Sequence, residues 1–450
     1  MGKKQHLLRK IIVASLGAVA ITAGLTTQGL AQPAPAGRAG AAGAVPVRTA
    51  AVCGPARPGQ MRCLAVAVAD AAGRPLAARS PAAFHTHLAR GLGSPSLFPG
   101  PLGPAELRKA YRLPAAAATT HLAVVDAFDT PTLIPDLTVY AANYGLPAPT
   151  VCTTDTQAGC VAVRNQTGAA TPLPSNTDSG WGEETALDVE TTYGLCPTCR
   201  ITLYEGNSPS FTDLAQTEDT AARHNTVISN SFGAYRDDCG AKTGGAGYNH
   251  PHVAIVVSSG DSGFGVQCPA VLPTVISVGG TTLNLTTTGS YVSESVWGTP
   301  ASGGFFPHDP GTGSGCSLNP ANKAQPWQLK QANWRRTGCK QLRGSNDVAA
   351  DADPVTGVAV YSSAPGQGLW FQFGGTSLSA PIIAATYALA GNAANQAYPA
   401  QSLYTAKATN LHDVTTGTNS SGCPIYLECN AAKGYDLPTG VGTLKGIGAF

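Results

Sequence analysis

Gly374-Gly-Thr-Ser377-Leu-Ser-Ala-Pro381 sets a serine between glycines and a proline. Glycine permits a tight turn close to a substrate, Thr and Ser favour a helix start, and proline is tolerated in a first helical turn. The pattern predicts Ser377 at a helix N-terminus, exposed to substrate, where the helix dipole favours negative charge on a nucleophilic oxygen. The same octapeptide also reads as an ordinary turn that caps a helix. A serine nucleophile needs a base, a group that orients the base, and donors for an oxyanion. None of the nine histidines lies in a His-Gly-Thr context. Instead Glu184 and Asp188 follow Trp181-Gly182 at i and i+4, which places both carboxylates on one face of a helix. On a solvated surface they are only an acidic stripe. In a cleft they share a proton, and one carboxylate serves as the base while the second holds it. Val256-Val-Ser-Ser-Gly-Asp261-Ser-Gly263 supplies a third acid, either a common turn residue or, if kept neutral, a hydrogen-bond donor to an oxyanion.

These residues must be brought together by the elements around them. His121-Leu-Ala-Val-Val-Asp126 reads as a buried strand, followed by a helix over 135–144. Helices over 183–193 and 212–224 alternate with strands over 201–204, 226–229, 253–257 and 274–278, and an apolar helix covers 379–389. Such alternation predicts an α/β fold with a mostly parallel central sheet and helices on both faces. In that architecture sites form at the carboxyl ends of strands, where Asp126, Asn230, Asp261 and the turn before Ser377 all fall.

Residues 1–31 carry Lys3, Lys4, Arg9 and Lys10, then an apolar run from Ile11 to Leu25, and predict a secretory signal too short to span a membrane. Residues 32–102 are rich in Ala, Pro, Gly and Arg and read as a short pro-segment or linker, ahead of a domain over 103–450. Twelve cysteines in an exported chain favour disulfides, in the couples Cys53/Cys63, Cys152/Cys160, Cys196/Cys199, Cys239/Cys268, Cys316/Cys339 and Cys423/Cys429. Cys196-Pro-Thr-Cys199 also has the spacing of a redox pair. With 12% charged residues and a net charge of +2, neither nucleic acid nor a membrane surface is an expected partner. Asn165, Asn284 and Asn419 begin glycosylation tripeptides.

In order, Glu184-Thr-Ala-Leu-Asp188, Ser259-Gly-Asp261-Ser-Gly and Gly374-Gly-Thr-Ser377-Leu-Ser-Ala-Pro381 resemble the sedolisins, serine-carboxyl peptidases with a subtilisin-like fold. The likeness runs from Tyr111-Arg-Leu-Pro114 to Gly442 and includes Ile228-Ser-Asn-Ser231 and Val278-Gly-Gly-Thr281. It implies Ser377 as nucleophile, Glu184 as general base, Asp188 as its orienting group, Asp261 at the oxyanion, and Asp126 as a further acid linked to the base. It implies a secreted, monomeric endopeptidase acting on proteins or peptides in acid, with a tripeptidyl aminopeptidase or a non-catalytic binding protein of the same fold as alternatives. His412-Asp413-Val414-Thr415 and Ala432-Lys-Gly434-Tyr-Asp436 resemble the family's calcium site, which implies one Ca²⁺ held by Asp413, Asp436 and the carbonyls of Val414, Ala432 and Gly434. The chain departs from the family in its short segment before the domain, in Phe232 where Trp is common, and in the long loop region over 303–339.

Overall fold

The computed structural model describes residues 47–84, 100–116, 120–175, 178–235, 245–298, 310–364, 366 and 368–450. The expected secretory signal and Cys239 lie outside them, and the description concerns the compact unit formed by residues 44–450.

Strands β1 (Arg48–Ala51), β2 (Arg62–Cys63) and β3 (Val66–Ala69) precede the expected domain. They are followed by β4 (His121–Ala127), β5 (Cys160–Asn165), β6 (Arg200–Gly206), β7 (Val227–Asn230), β8 (Phe232–Tyr235), β9 (Ala254–Ser258) and β10 (Ile276–Leu285). Strands β11 (Val348–Asp351), β12 (Val358–Ser362) and β13 (Leu369–Gly374) complete the set that frames the site. An 11-stranded sheet runs β11-β10-β9-β7-β4-β6-β5 through its centre, all in parallel pairs. The mostly parallel α/β architecture expected from the alternation of elements is therefore present.

Parallel strands are buried on both faces, and β4 shows it residue by residue. Leu122 and Val124 enter one apolar core with Val256, Ile276 and Leu378, while Ala123 and Val125 enter another with Ile228, Val257 and Leu214. Helices α1 (Leu133–Asn143), α2 (Ser179–Leu195), α3 (Phe211–Ala222) and α4 (Thr376–Ala390) flank the sheet. Helix α2 starts a turn before the expected boundary because the Asp178 side chain accepts from the N–H groups of Gly180 and Trp181. It is buried all round from Gly180 to Leu195, so its acids are desolvated.

Residues 47–84 depart from the linker reading. β1, β3, β13 and β12 pair antiparallel in one sheet, and β2 joins a three-stranded sheet through β8. Five of the six expected cysteine couples are joined, including a buried Cys196–Cys199, which is a structural bridge here. Cys268 is disulfide-bonded too. Asn419 does not fit a glycan, since it is buried with its amide donating to Thr312 O and Ser314 Oγ. Among the described residues no helix is long and apolar enough to cross a membrane.

Candidate active site

Ser377 is the second residue of α4, directly after β13 and the Gly374-Gly375 turn. Gly375 has φ +89, and a Cβ there would stand 2.2 Å from Leu64 O, so only glycine fits. Pro381 lies deeper in the helix than its expected place in the first turn. Lacking an N–H, it leaves the carbonyl of Ser377 without its helical donor, and Ser231 Oγ donates to that carbonyl instead at 3.4 Å. Contrary to the expected exposure, Ser377 is 0% exposed, with Leu64 and Val66 packed against the neighbouring Gly375.

The acids gather around this serine. Asp126 stands near the end of β4, Glu184 and Asp188 on α2, and Asp261 just beyond β9, all buried. Ser377 Oγ donates to Ser231 O at 3.3 Å, and Ser231 Oγ donates to Asp188 Oδ1 at 2.8 Å. Glu184 Oε2 accepts from the Ala65 N–H at 2.7 Å. Among the described residues Glu184 Oε1, Asp188 Oδ2 and Asp261 Oδ2 have no hydrogen-bond partner.

Burial is the first cause that pushes Glu184, Asp188 and Asp126 well above the ordinary carboxylate range. The Asp126 charge raises both Glu184 and Asp188, and the Glu184 charge raises Asp188 further. Ser377 and the Ala65 N–H pull Glu184 the other way. The three acids therefore ionise in steps, and a carboxylate formed among protonated neighbours is a strong base. Burial also raises Asp261 to about 7, against two hydrogen bonds from Thr376. The Thr376 N–H and hydroxyl both donate to Asp261 Oδ1 at 2.8 Å, which aims Oδ2 away from them. A neutral carboxyl so held donates through Oδ2.

Residues 134–424 match the subtilase family model. The chain belongs to the subtilase family. Within it, the chain is 34% identical over 209 residues to sedolisin from Pseudomonas sp. (strain 101), covering 42% of this chain and 32% of that protein. It is 29% identical over 337 residues to kumamolisin from Bacillus sp. (strain MN-32), covering 69% of this chain and 56% of that protein. The chain thus spans between 32% and 56% of the length of these curated relatives. The solved structure of Pseudomonas sedolisin, a serine-carboxyl proteinase complexed with two molecules of pseudo-iodotyrostatin, superposes with a TM-score of 0.63 at 27% identity, covering 76% of this chain and 95% of that one. These likenesses bear out the sedolisin resemblance and the subtilisin-like fold.

Sequence reasoning gave no role to Ser231 or Thr376, which link the acids to the serine turn. Ser231 appeared only within Ile228-Ser-Asn-Ser231, and half of what it does is done by its backbone carbonyl. Phe232 is fully buried against Trp181 with ring centroids 6.1 Å apart, so the side chain standing where Trp is common still builds an apolar wall. Beside that wall a cavity of about 400 Å³ opens between Arg57, Arg62, Phe128, Asp178 and Trp181.

The segments that carry the expected calcium ligands, 413–414 and 432–436, meet. The Gly434 N–H donates to both Asp413 oxygens at 3.1 and 3.0 Å, and the Ala432 N–H donates to Asp436 Oδ2 at 2.9 Å. Among the described residues no group of three or more His, Cys, Asp or Glu gathers to hold a metal. The expected carbonyls of Val414, Ala432 and Gly434 would complete these two carboxylates as an all-oxygen set, the kind that suits a hard divalent ion.

Proposed function

We propose that this protein is a secreted serine-carboxyl endopeptidase that hydrolyses peptide bonds of proteins in acid. The observation that carries the reading is a buried serine hydroxyl at a helix start with Glu184, Asp188 and Asp261 around it. Ser377 attacks the scissile carbonyl while Glu184 takes its proton and later returns it to the leaving amine. Asp188 holds the cluster through Ser231, and burial beside Asp126 raises the basicity of Glu184. Protonated Asp261 donates Oδ2 to the tetrahedral oxyanion, and water then releases the acyl group from Ser377.

The endopeptidase reading is supported by β2 and the residues after it, which run past Ser377 without a break. A cleft with chain on both sides of the reacting position suits internal bonds. The disulfides fit an oxidising compartment. One Ca²⁺ on Asp413, Asp436 and the carbonyls of Val414, Ala432 and Gly434 would tie two loops together without joining the chemistry. Chelation is expected to lower the melting temperature and added Ca²⁺ to restore it, in wild type and not in Asp413→Ala.

The test is digestion of a denatured protein at pH 4 with the products mapped by mass spectrometry. Wild type is expected to give internal cleavages, and Ser377→Ala with its melting temperature kept is expected to lose at least about a thousandfold in rate. Tripeptides released only from free N-termini would overturn the endopeptidase reading, and an active Ser377→Ala would overturn the mechanism.

A further inference from the structure

The amino ends of the central strands are polar where a parallel sheet is usually apolar on both faces. In β6, Ile201 and Leu203 enter the apolar core, while Arg200, Thr202 and Tyr204 alternate onto the opposite face, each at most 5% exposed. Parallel pairing sets His121 of β4 beside Arg200, and Arg164 of β5 beside Tyr204. Helix α3 packs on this face of the sheet but ends at Ala222. Beyond its last turn a cavity of about 280 Å³ opens over Arg164, Arg200, Thr202 and Tyr204, with His224 and Asn225 at its wall. His121 opens β4 and Asp126 stands five residues on, so at about 3.3 Å per residue the cavity lies roughly 16 Å from the acids around Ser377.

The donors in this cavity are short of acceptors. Arg200 donates from Nη1 to Thr154 O and from Nη2 to Asp155 Oδ1 at 3.3 Å, yet its side chain is 6% exposed and that of Asp155 is 94% exposed. Arg164 donates from Nη1 to Val163 O at 2.9 Å and forms no ion pair among the described residues. The Tyr204 hydroxyl accepts from Asn225 Nδ2 at 3.2 Å, which leaves its own proton for an acceptor. Two guanidinium groups thus meet one carboxylate, and that carboxylate stands in solvent. A second cavity of about 260 Å³ shares His121 and His224 with the first and is walled by Val227, Tyr387 and Ala393, all buried. One chamber is basic and its neighbour is largely apolar.

We propose that these adjoining cavities bind an organic oxyanion, with its carboxylate or phosphate group among Arg164, Arg200 and Tyr204 and its apolar portion against Val227 and Tyr387. A carboxylate or phosphate accepts from the planar fork of a guanidinium and from a phenol, and it supplies the negative charge that the buried arginine lacks. Leaving a buried charge without a buried partner is costly, so the anion completes a site that the fold has already built. The binding is reversible and separate from the peptidase chemistry, since the reacting serine is ringed by acids that repel an anion.

The experiment is isothermal titration calorimetry of the full chain at pH 6 and low salt with phenyl phosphate, phenylacetate and inorganic phosphate. At least one of the two organic anions is expected to bind at one site per chain, about tenfold or more tightly than inorganic phosphate, because its ring enters the apolar chamber. The tighter of the two identifies the head group. Arg164→Ala is expected to weaken that ligand at least about tenfold and Tyr204→Phe about threefold. Ala394→Trp, at the exposed rim of the apolar chamber, is expected to reduce it to the affinity of inorganic phosphate. Arg62→Ala, at the cavity beside Trp181, is expected to bind as wild type does. Unliganded melting temperatures confirm that each variant is folded. No binding by either organic anion, inorganic phosphate binding as tightly as both, or an affinity untouched by Arg164→Ala would each overturn the proposal. Loss in Arg62→Ala with Arg164→Ala unaffected would place the anion near Ser377 and overturn it too.

Discussion

Asp261 shows how much of this site depends on one proton. Its Oδ1 is occupied by both donors of Thr376, so the free Oδ2 has work to do only while it carries hydrogen. With its pKa raised to about 7 by burial, the donor is present in acid and lost as pH rises through that value. An asparagine keeps the acceptor toward Thr376 and offers an N–H that does not titrate. Asp261→Asn is therefore expected to lose about 10²-fold in kcat at pH 4, the scale for weakening one oxyanion donor, and to lose the fall in rate near pH 7. A pH-rate profile of the variant checks this, and a retained fall near pH 7 would assign that limb to another group.

At the scale of elements, α4 joins apolar packing to one deliberate fault. Pro381 costs an interior helical hydrogen bond, on a scale of about 3 kcal/mol, and in return leaves the Ser377 carbonyl for Ser231. Pro381→Ala is expected to raise the melting temperature by a few degrees while lowering kcat several-fold, because the new N–H competes with Ser231 Oγ. Thermal unfolding and steady-state kinetics on the same preparation separate the two effects, and an unchanged kcat would show that the Ser231 contact is idle. The proline was legible in the sequence and its depth in the helix was not, since Thr376 rather than Ser379 opens the helix. The strands around β4 were legible because buried parallel strands are written as apolar runs. Strands β1 to β3 were hidden in Ala- and Pro-rich sequence, and they form through pairing with β13 and β8 far along the chain. Likewise the acids of the candidate site could be read from their types and spacing. Ser231 O and the Ala65 N–H are backbone atoms that every residue has, so only the fold reveals them.

Across the whole molecule, buried acids set the response to pH. Burial raises Glu205 and Glu218 to about 8 and Glu183 to about 7. Each has a folded pKa above its unfolded value near 4.3, so the neutral form favours the fold. That stability is fully present below about pH 4 and is lost as pH rises through 7 to 8, at up to about 1.4 kcal/mol per pH unit for each group. The melting temperature is expected to be higher at pH 4.5 than at pH 8 by calorimetry. A chain equally stable or more stable at pH 8 would mean that these acids find partners when ionised.

The central claim is that a carboxylate, and no histidine, drives Ser377. The most direct test is kcat/KM for one peptide from pH 3 to pH 8, measured on the full chain for wild type and Glu184→Gln. Wild type is expected to rise as the Glu184 cluster ionises and to fall toward pH 8 as Asp261 loses its proton, with Glu184→Gln lower by at least about 10³-fold throughout. Wild-type activity that rises through neutrality, with Glu184→Gln close behind it, would contradict the account.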